Sequence, residues 1–400
     1  MQKHSRLATA LSAAAFMVAA TCTPAAHAYD QLVEKKVFTM PTYTTIGGKT
    51  IKNVRLGYET YGTLNAAGTN AIFVAHYFSG NSHAAGKYKA GDAAPGYWDS
   101  VIGAGKPFDT DKYFVVSADT LVNLSTKDPN VVTTGPATID PDTGKPYGMR
   151  FPIVTMKDFV RTQKALADSL GIKRFVAVTG ASMGSLQAME WAASYPEMVE
   201  RVIPVIPGGL EANPYLIAVL DEWSMPIYDD PKWNGGDYYG KEEPLHGVAE
   251  ALKMVTISSR APGWAQKTFV RDWAKADADP LASWDNKYKI QDALDKAGAA
   301  RAASADADSF LYLVRANQLY RVGQGATLEE GASKIKAKVL AIPAQSDLLL
   351  FPQYTTAMLD TLKKQGVTTE LFVIEGDGGH LDGVFNISKA GDAIRAFLVK

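Results

Sequence analysis

The sequence predicts an α/β fold: a mostly parallel central sheet flanked by helices, interrupted by one long helical insertion. Three observations carry the prediction. Short β-branched runs alternate with segments of helical periodicity, the alternation stops near Glu211, and it resumes at about residue 331. Apolar runs that can be buried on both faces, separated by helices, are what a covered parallel sheet requires.

The first 28 residues are set aside. Lys3 and Arg6 form a basic start, Leu7 to Ala20 is apolar or small, and Ala26-His27-Ala28 fits an A-x-A cleavage site. This reads as a secretory signal peptide, with a core too short to span a bilayer as a helix. A lipid anchor on Cys22 is the rival reading, disfavoured by the bulk of Thr21. The expected mature chain, Tyr29–Lys400, then has no cysteine, so it forms no disulfide and must rest on its core. It carries 39 basic and 42 acidic residues, a net charge of −3, which points away from nucleic acid or an anionic membrane. No later apolar run reaches membrane-spanning length. An exported protein, periplasmic or secreted, is expected.

Along the mature chain, residues 35–65 alternate as an opening antiparallel pair. AIFVAHYF (71–78), KYFVVSAD (112–119), RFVAVTG (174–180) and VERVIPVIPG (199–208) read as buried strands. Between the last three lie the periodic segments MKDFVRTQKALADSLGI and MGSLQAMEWAASYP. Residues 211–330 read as mostly helical, with turns at PKWNGGDYYG and RAPGWA. AKVLAIPAQSD, FPQYTTAMLDTLKKQG and TTELFVIEGDGGH then resume the strand–helix alternation, before a last helix ending AIRAFLVK. The expected division is a core of 29–210 and 331–400 with an inserted lid at 211–330. Trp223, Trp233, Trp264, Trp273 and Trp284 all lie in that insertion. Such a layer either packs on the core or caps a substrate cleft with aromatics, and its position favours the cap.

The chemistry gathers at Gly180-Ala181-Ser182-Met183-Gly184, a G-x-S-x-G between a β-branched strand and a helix. A serine held in so sharp a turn leaves no room for side chains two residues away. It also sits at a helix N-terminus, where negative charge is favoured. A serine hydroxyl needs a base, and the base needs an orienting acid. Of the mature chain's four histidines, only His380 follows both the serine and the insertion at a strand end. Asp347 ends the preceding strand and is the expected acid, while Asp377 and Asp382 read as turn residues beside glycines. Oxyanion donors are expected from the backbone of Met183 and of Phe78, in the loop HYFSGNSHAAG. His76 and His83 read as structural partners of that loop, and His246 as a surface or lid residue. No His/Cys cluster supports a metal, DPDTGKPYG (140–148) reads as a turn, and no glycine-rich phosphate loop follows the first strand. No cofactor is expected.

Over nearly the whole chain from Val37, the sequence resembles the homoserine O-acetyltransferase family of α/β-hydrolases. The resemblance is carried by GNSHAAG, YWDSVIGAGKPFDTDKYFVV, GASMGSLQAMEWA, DPKWNGGDYY, LYLVRA and SDLLLFP. It implies an α/β-hydrolase fold with Ser182 as acyl-accepting nucleophile, Asp347 and His380 as its partners, and a helical lid through which two copies can pair. The family holds its amino-acid substrate with an arginine on the first lid helix and an aspartate directly after the histidine. Those positions fall on Ser224 and Leu381 here, and the family's Gly-Gly-Cys reads Val122-Asn123-Leu124. Trp223, Ser224 and Leu381 are therefore the expected substrate-pocket residues. The expected reaction is acyl transfer from a small ester to water, the alternative being transfer from a coenzyme A thioester to an alcohol such as homoserine.

Overall fold

The structure, a computed structural model, describes residue 29 and residues 31–400; the signal-peptide reading and Cys22 fall outside them. Eight strands form the main sheet: β1 (Lys36–Thr44), β2 (Thr50–Tyr61), β3 (Ala71–Ala75), β4 (Phe114–Ala118), β5 (Phe175–Ala181), β6 (Arg201–Val205), β7 (Lys338–Ala341) and β8 (Thr369–Leu371). Their order is β1-β2-β4-β3-β5-β6-β7-β8. β1 and β2 pair antiparallel, β2 meets β4 antiparallel, and every pairing beyond that is parallel. This is the α/β-hydrolase fold.

Both faces of the sheet are covered, which is why its central strands read as unbroken apolar runs. In β3, Phe73 packs into one core with α1 (Met156–Ser169) and α2 (Met183–Ser194). Ile72 and Val74 of the same strand face the other core, which includes Ile394 and Phe397 of the last helix, Gly391–Leu398. The start of α1 is set by a capping box between Thr155 and Asp158.

Between β6 and β7 the chain forms α3 (Pro214–Asp229), α4 (Leu245–Ser258), α5 (Pro262–Phe269), α6 (Lys289–Ala302) and α7 (Ala307–Gln318). Two details differ from the sequence reading. RAPGWA is not only a turn, because Pro262 opens α5, where its fixed φ suits a first helical position and its missing N–H costs nothing. Residues 270–288 contain no helix or regular strand, only a bridge between Trp273 and Tyr288. At 139–146, Ile139–Asp140 and Lys145–Pro146 pair as a small hairpin.

Candidate active site

Ser182 sits where β5 ends and α2 begins, at φ 57° and ψ −122°, a backbone region few non-glycine residues adopt. Its own N–H is anchored to the Val205 carbonyl of β6 at 3.0 Å. The flanking glycines are needed, though the crowding is against a neighbouring strand rather than against the serine. A Cβ on Gly180 would lie 2.5 Å from the Ala75 carbonyl oxygen, and one on Gly184 would lie 2.2 Å from it. The end of β3 therefore dictates both glycines, and at Gly180 the Gly184 backbone, 2.7 Å from such a Cβ, adds to the crowding.

The turn brings Ser182 to two residues from the far end of the chain. His380 Nε2 lies 2.8 Å from Ser182 Oγ, and His380 Nδ1 lies 2.7 Å from Asp347 Oδ2. The other carboxylate oxygen of Asp347 accepts from Leu349 and Leu350 N–H, both at 2.9 Å, so the acid is held from both sides. Asp347 and His380 are buried. His380 lies in a single turn of 3₁₀ helix whose first residue, Gly379, has φ 76° and packs on the Arg260 backbone. With Nδ1–H donated to the carboxylate, Nε2 is free to accept the serine proton, the arrangement that activates a hydroxyl.

The other two acids do different work. Asp377 pairs with Lys267 of α5, and that ion pair holds its carboxyl below the ordinary range. Asp382 is buried and accepts from Gly378 N–H at 3.0 Å and Asn386 Nδ2 at 2.6 Å. The three other histidines among the described residues also lie outside the Ser182 constellation. His76 is wholly buried between the Tyr77 carbonyl and the Thr120 N–H, and burial pulls its pKa down to about 4. His83 stacks on Tyr88 and contacts Glu59 at 3.0 Å, and His246 is exposed at the start of α4.

Met183 opens α2, so its N–H has no intrahelical acceptor, and among the described residues neither it nor Phe78 N–H has another partner. Both remain available to an oxyanion. The loop carrying Phe78 is braced by groups that sequence reasoning missed. Asn123 Nδ2 donates to the Gly80 carbonyl at 3.0 Å, and Asp119 accepts from Ser82 N–H at 2.8 Å. Lys35 bridges Glu59 at 2.8 Å and Asp119 at 3.8 Å, while Glu59 also accepts from Tyr61 and Tyr88. Burial pushes the Glu59 carboxyl up, but His83 and Lys35 outweigh it and leave it below its ordinary value. Nothing in the local pattern signals this, because Glu59 occupies an alternating strand position that could equally face solvent.

A cavity of about 370 Å³ opens beside Ser182 and His380, lined by Phe78, Trp223, Val255 and Leu381 among others. Two of the three expected pocket residues are there. Ser224 is not: it is buried within α3, with its hydroxyl 3.4 Å from the Leu220 carbonyl. Successive residues on a helix point about 100° apart, so turning Trp223 to the cavity turns Ser224 away. The aromatic cap also needs correction. Of the five insertion tryptophans only Trp223 lines the cavity, packing edge-on against Phe78 at 5.8 Å. Trp233 is pinned to Asp308, Trp264 stacks with Arg260, and Trp273 and Trp284 are exposed. What the sequence did not reveal is that Arg260 and Arg301 both form cavity wall, and that among the described residues no acidic one does.

A family model described as "alpha/beta hydrolase fold" matches residues 93–386. The homoserine O-acetyltransferase of Symbiobacterium thermophilum is 38% identical over 356 residues, 88% of this chain and 90% of the relative. That of Carboxydothermus hydrogenoformans is 35% identical over 369 residues, 92% and 95% of the two chains. Among solved structures, esterase E22 is 48% identical with a TM-score of 0.88, covering 92% of this chain and all (100%) of its own. The homoserine O-acetyltransferase of Bacillus anthracis is 39% identical with a TM-score of 0.88, covering 92% and 98%.

Proposed function

The chain belongs to the α/β-hydrolase family, among the homoserine O-acetyltransferase-like members, and from that premise we propose that it hydrolyses small esters. It is a serine-dependent acyl-transfer enzyme; the proposal concerns which residues act and which acceptor takes the acyl group. The observation that supports water as acceptor is the charge on the cavity wall: two arginines and no carboxylate. The ammonium group of an amino acid would shed its hydration there with no counter-ion to replace it, and would face two cations instead.

In this reading Ser182 Oγ attacks the ester carbonyl while its proton passes to His380 Nε2. Asp347 keeps the imidazole in the right tautomer and stabilises its charged form. The oxyanion forms against Phe78 and Met183 N–H. As the C–O bond breaks, His380 returns the proton to the leaving alcohol, and the acyl group stays on Ser182. Water then gives a proton to His380 and attacks, releasing the acid and restoring the serine.

The second reading is acetyl transfer from coenzyme A to homoserine. The names of the relatives favour it over hydrolysis, since homologues of that name match at 34–38% identity along 84–92% of this chain. A direct competition decides. Residues 29–400 are assayed with acetyl-CoA and homoserine, and in parallel with short-chain esters in water. Ester turnover should dominate. Homoserine acetylation with kcat/KM of about 10⁴ M⁻¹s⁻¹ or more, the ordinary enzyme range, would hand the site to the second reading. Residues 211–330 are proposed as the lid that selects the substrate, and residues 1–28 as a signal that exports the enzyme.

A further inference from the structure

The cavity carries a feature that ester hydrolysis alone does not use. Arg260 follows α4, and the chain there is clamped against the histidine turn: a Cβ on Gly379 would meet Arg260 backbone atoms at 2.7–2.9 Å, and Leu381 N–H reaches the Ser259 carbonyl at 3.4 Å. The arginine is thereby fixed beside the reacting groups. Its guanidinium lies over the Trp264 ring, 4.7 Å from the centroid, and its buried Nε has no hydrogen-bond partner among the described residues. Arg301, from α6, donates to Thr256 Oγ1 at 2.8 Å and the Leu252 carbonyl at 3.2 Å, both through one nitrogen.

Among the described residues neither arginine has a carboxylate within ion-pair distance. The acid whose charge Arg260 feels, Asp382, is committed to Gly378 and Asn386. Burial lowers the pKa of both guanidiniums, yet arginine stays protonated at neutral pH. Two half-buried cations without counter-ions in one small cavity are costly unless an anion joins them.

Building on the hydrolase reading, we propose that the substrate is an ester bearing a second, ionised carboxylate, which Arg260 and Arg301 bind while its ester carbonyl meets Ser182. The cavity of about 370 Å³ contains all three side chains in its wall, which suits a short monoester. A carboxylate with no ammonium beside it satisfies this wall, where a zwitterion would not. Guanidinium forks match carboxylates in two-point geometry, so the preference should exceed a general attraction for anions.

The test uses pairs of equal shape that differ in charge. For an anion on the acyl side, monomethyl adipate is compared with its terminal amide; for one on the alcohol side, 4-acetoxybenzoate is compared with 4-acetoxybenzamide. In at least one pair the anionic ester should have the higher kcat/KM by about tenfold or more, mostly through KM, with the advantage shrinking at high salt. Arg260→Gln and Arg301→Gln should each collapse that ratio, and Arg260→Lys should retain part of it. Equal rates within both pairs, or a preference that survives both glutamine variants, would overturn the proposal. If no ester of either charge turns over, hydrolysis itself is wrong. The same four compounds are then used to slow labelling of Ser182 by a fluorophosphonate: better protection by the anionic members, lost in the glutamine variants, supports the anion site, and equal protection rejects it.

Discussion

The site has two halves, and they are built differently. In the half supplied by the sheet the reacting side chains are held by partners, and the backbone N–H groups of Phe78 and Met183 are what it leaves open. Asp347 is gripped by two backbone N–H groups and His380, Ser182 is tied to β6, and the Phe78 loop rests on Asn123 and Asp119. The half supplied by the insertion leaves groups unsatisfied or open: Arg260 Nε without a partner, an irregular stretch at 270–288, and Trp284 fully exposed. Chemistry needs atoms held to a fraction of an ångström, while selection of a substrate needs groups left free to meet it. On the proposed hydrolase reading, the difference separates what sets the rate from what sets the choice of ester.

Changes on the sheet side should be the most damaging. Ser182→Ala should fold and lose essentially all ester turnover, with His380→Ala close behind, because triad members act as a unit. Ser182→Ala retaining more than about a hundredth of the activity would contradict an acyl-serine mechanism. Asp347→Asn should come next, cutting kcat by about 10⁴-fold through the wrong imidazole tautomer. Asp377→Asn, which loses only its exposed ion pair with Lys267, should leave kcat nearly unchanged. If Asp377→Asn were the crippling change, the acid would have been placed on the wrong strand end.

Trp223→Ala sharpens the contrast from the insertion side. It removes an aromatic wall from the cavity and should change the preferred ester, with a loss of about 1–3 kcal/mol in kcat/KM for the best substrate. A fall in kcat alike for every ester would show that the insertion also positions the Phe78 loop. His76 probes the sheet side through stability. The unfolded chain takes up a proton near pH 6.5 and the buried ring only near 4, so folding stability should be full above 6.5 and decline as pH falls between those values. Denaturant titrations across that range measure it, and His76→Gln should flatten the slope. Trp284→Ala should have the smallest effect, within about 0.5 kcal/mol in stability and none on turnover.

The fold and the meeting of Ser182, His380 and Asp347 were legible in the sequence because both depend on local pattern and chain order. A β-branched run before G-x-S-x-G before a helix specifies an elbow, and a histidine after a late strand has few other places to go. Strand positions agreed to within a few residues. The pocket was not legible in the same way. Ser224 was an address on a helix, and one helical residue of rotation decided that Trp223 faces the cavity and Ser224 does not. Arg260 and Arg301 are 41 positions apart in the sequence, and no periodicity brings them together. The Lys35–Glu59–Asp119 cluster joins the start of the sheet to the end of β4, so it too exists only once the strands have paired.

By itself, then, the sequence determined the order of strands and helices, the serine's turn and which histidine meets it, because apolar periodicity and backbone sterics act over a few residues and chain order leaves few candidates. The tertiary structure alone decided which side chains wall the cavity and that its charge is positive. Those depend on how α6 packs on α4 and how the end of α4 meets the histidine turn, and packing over long separations is set by the shapes of the faces that meet.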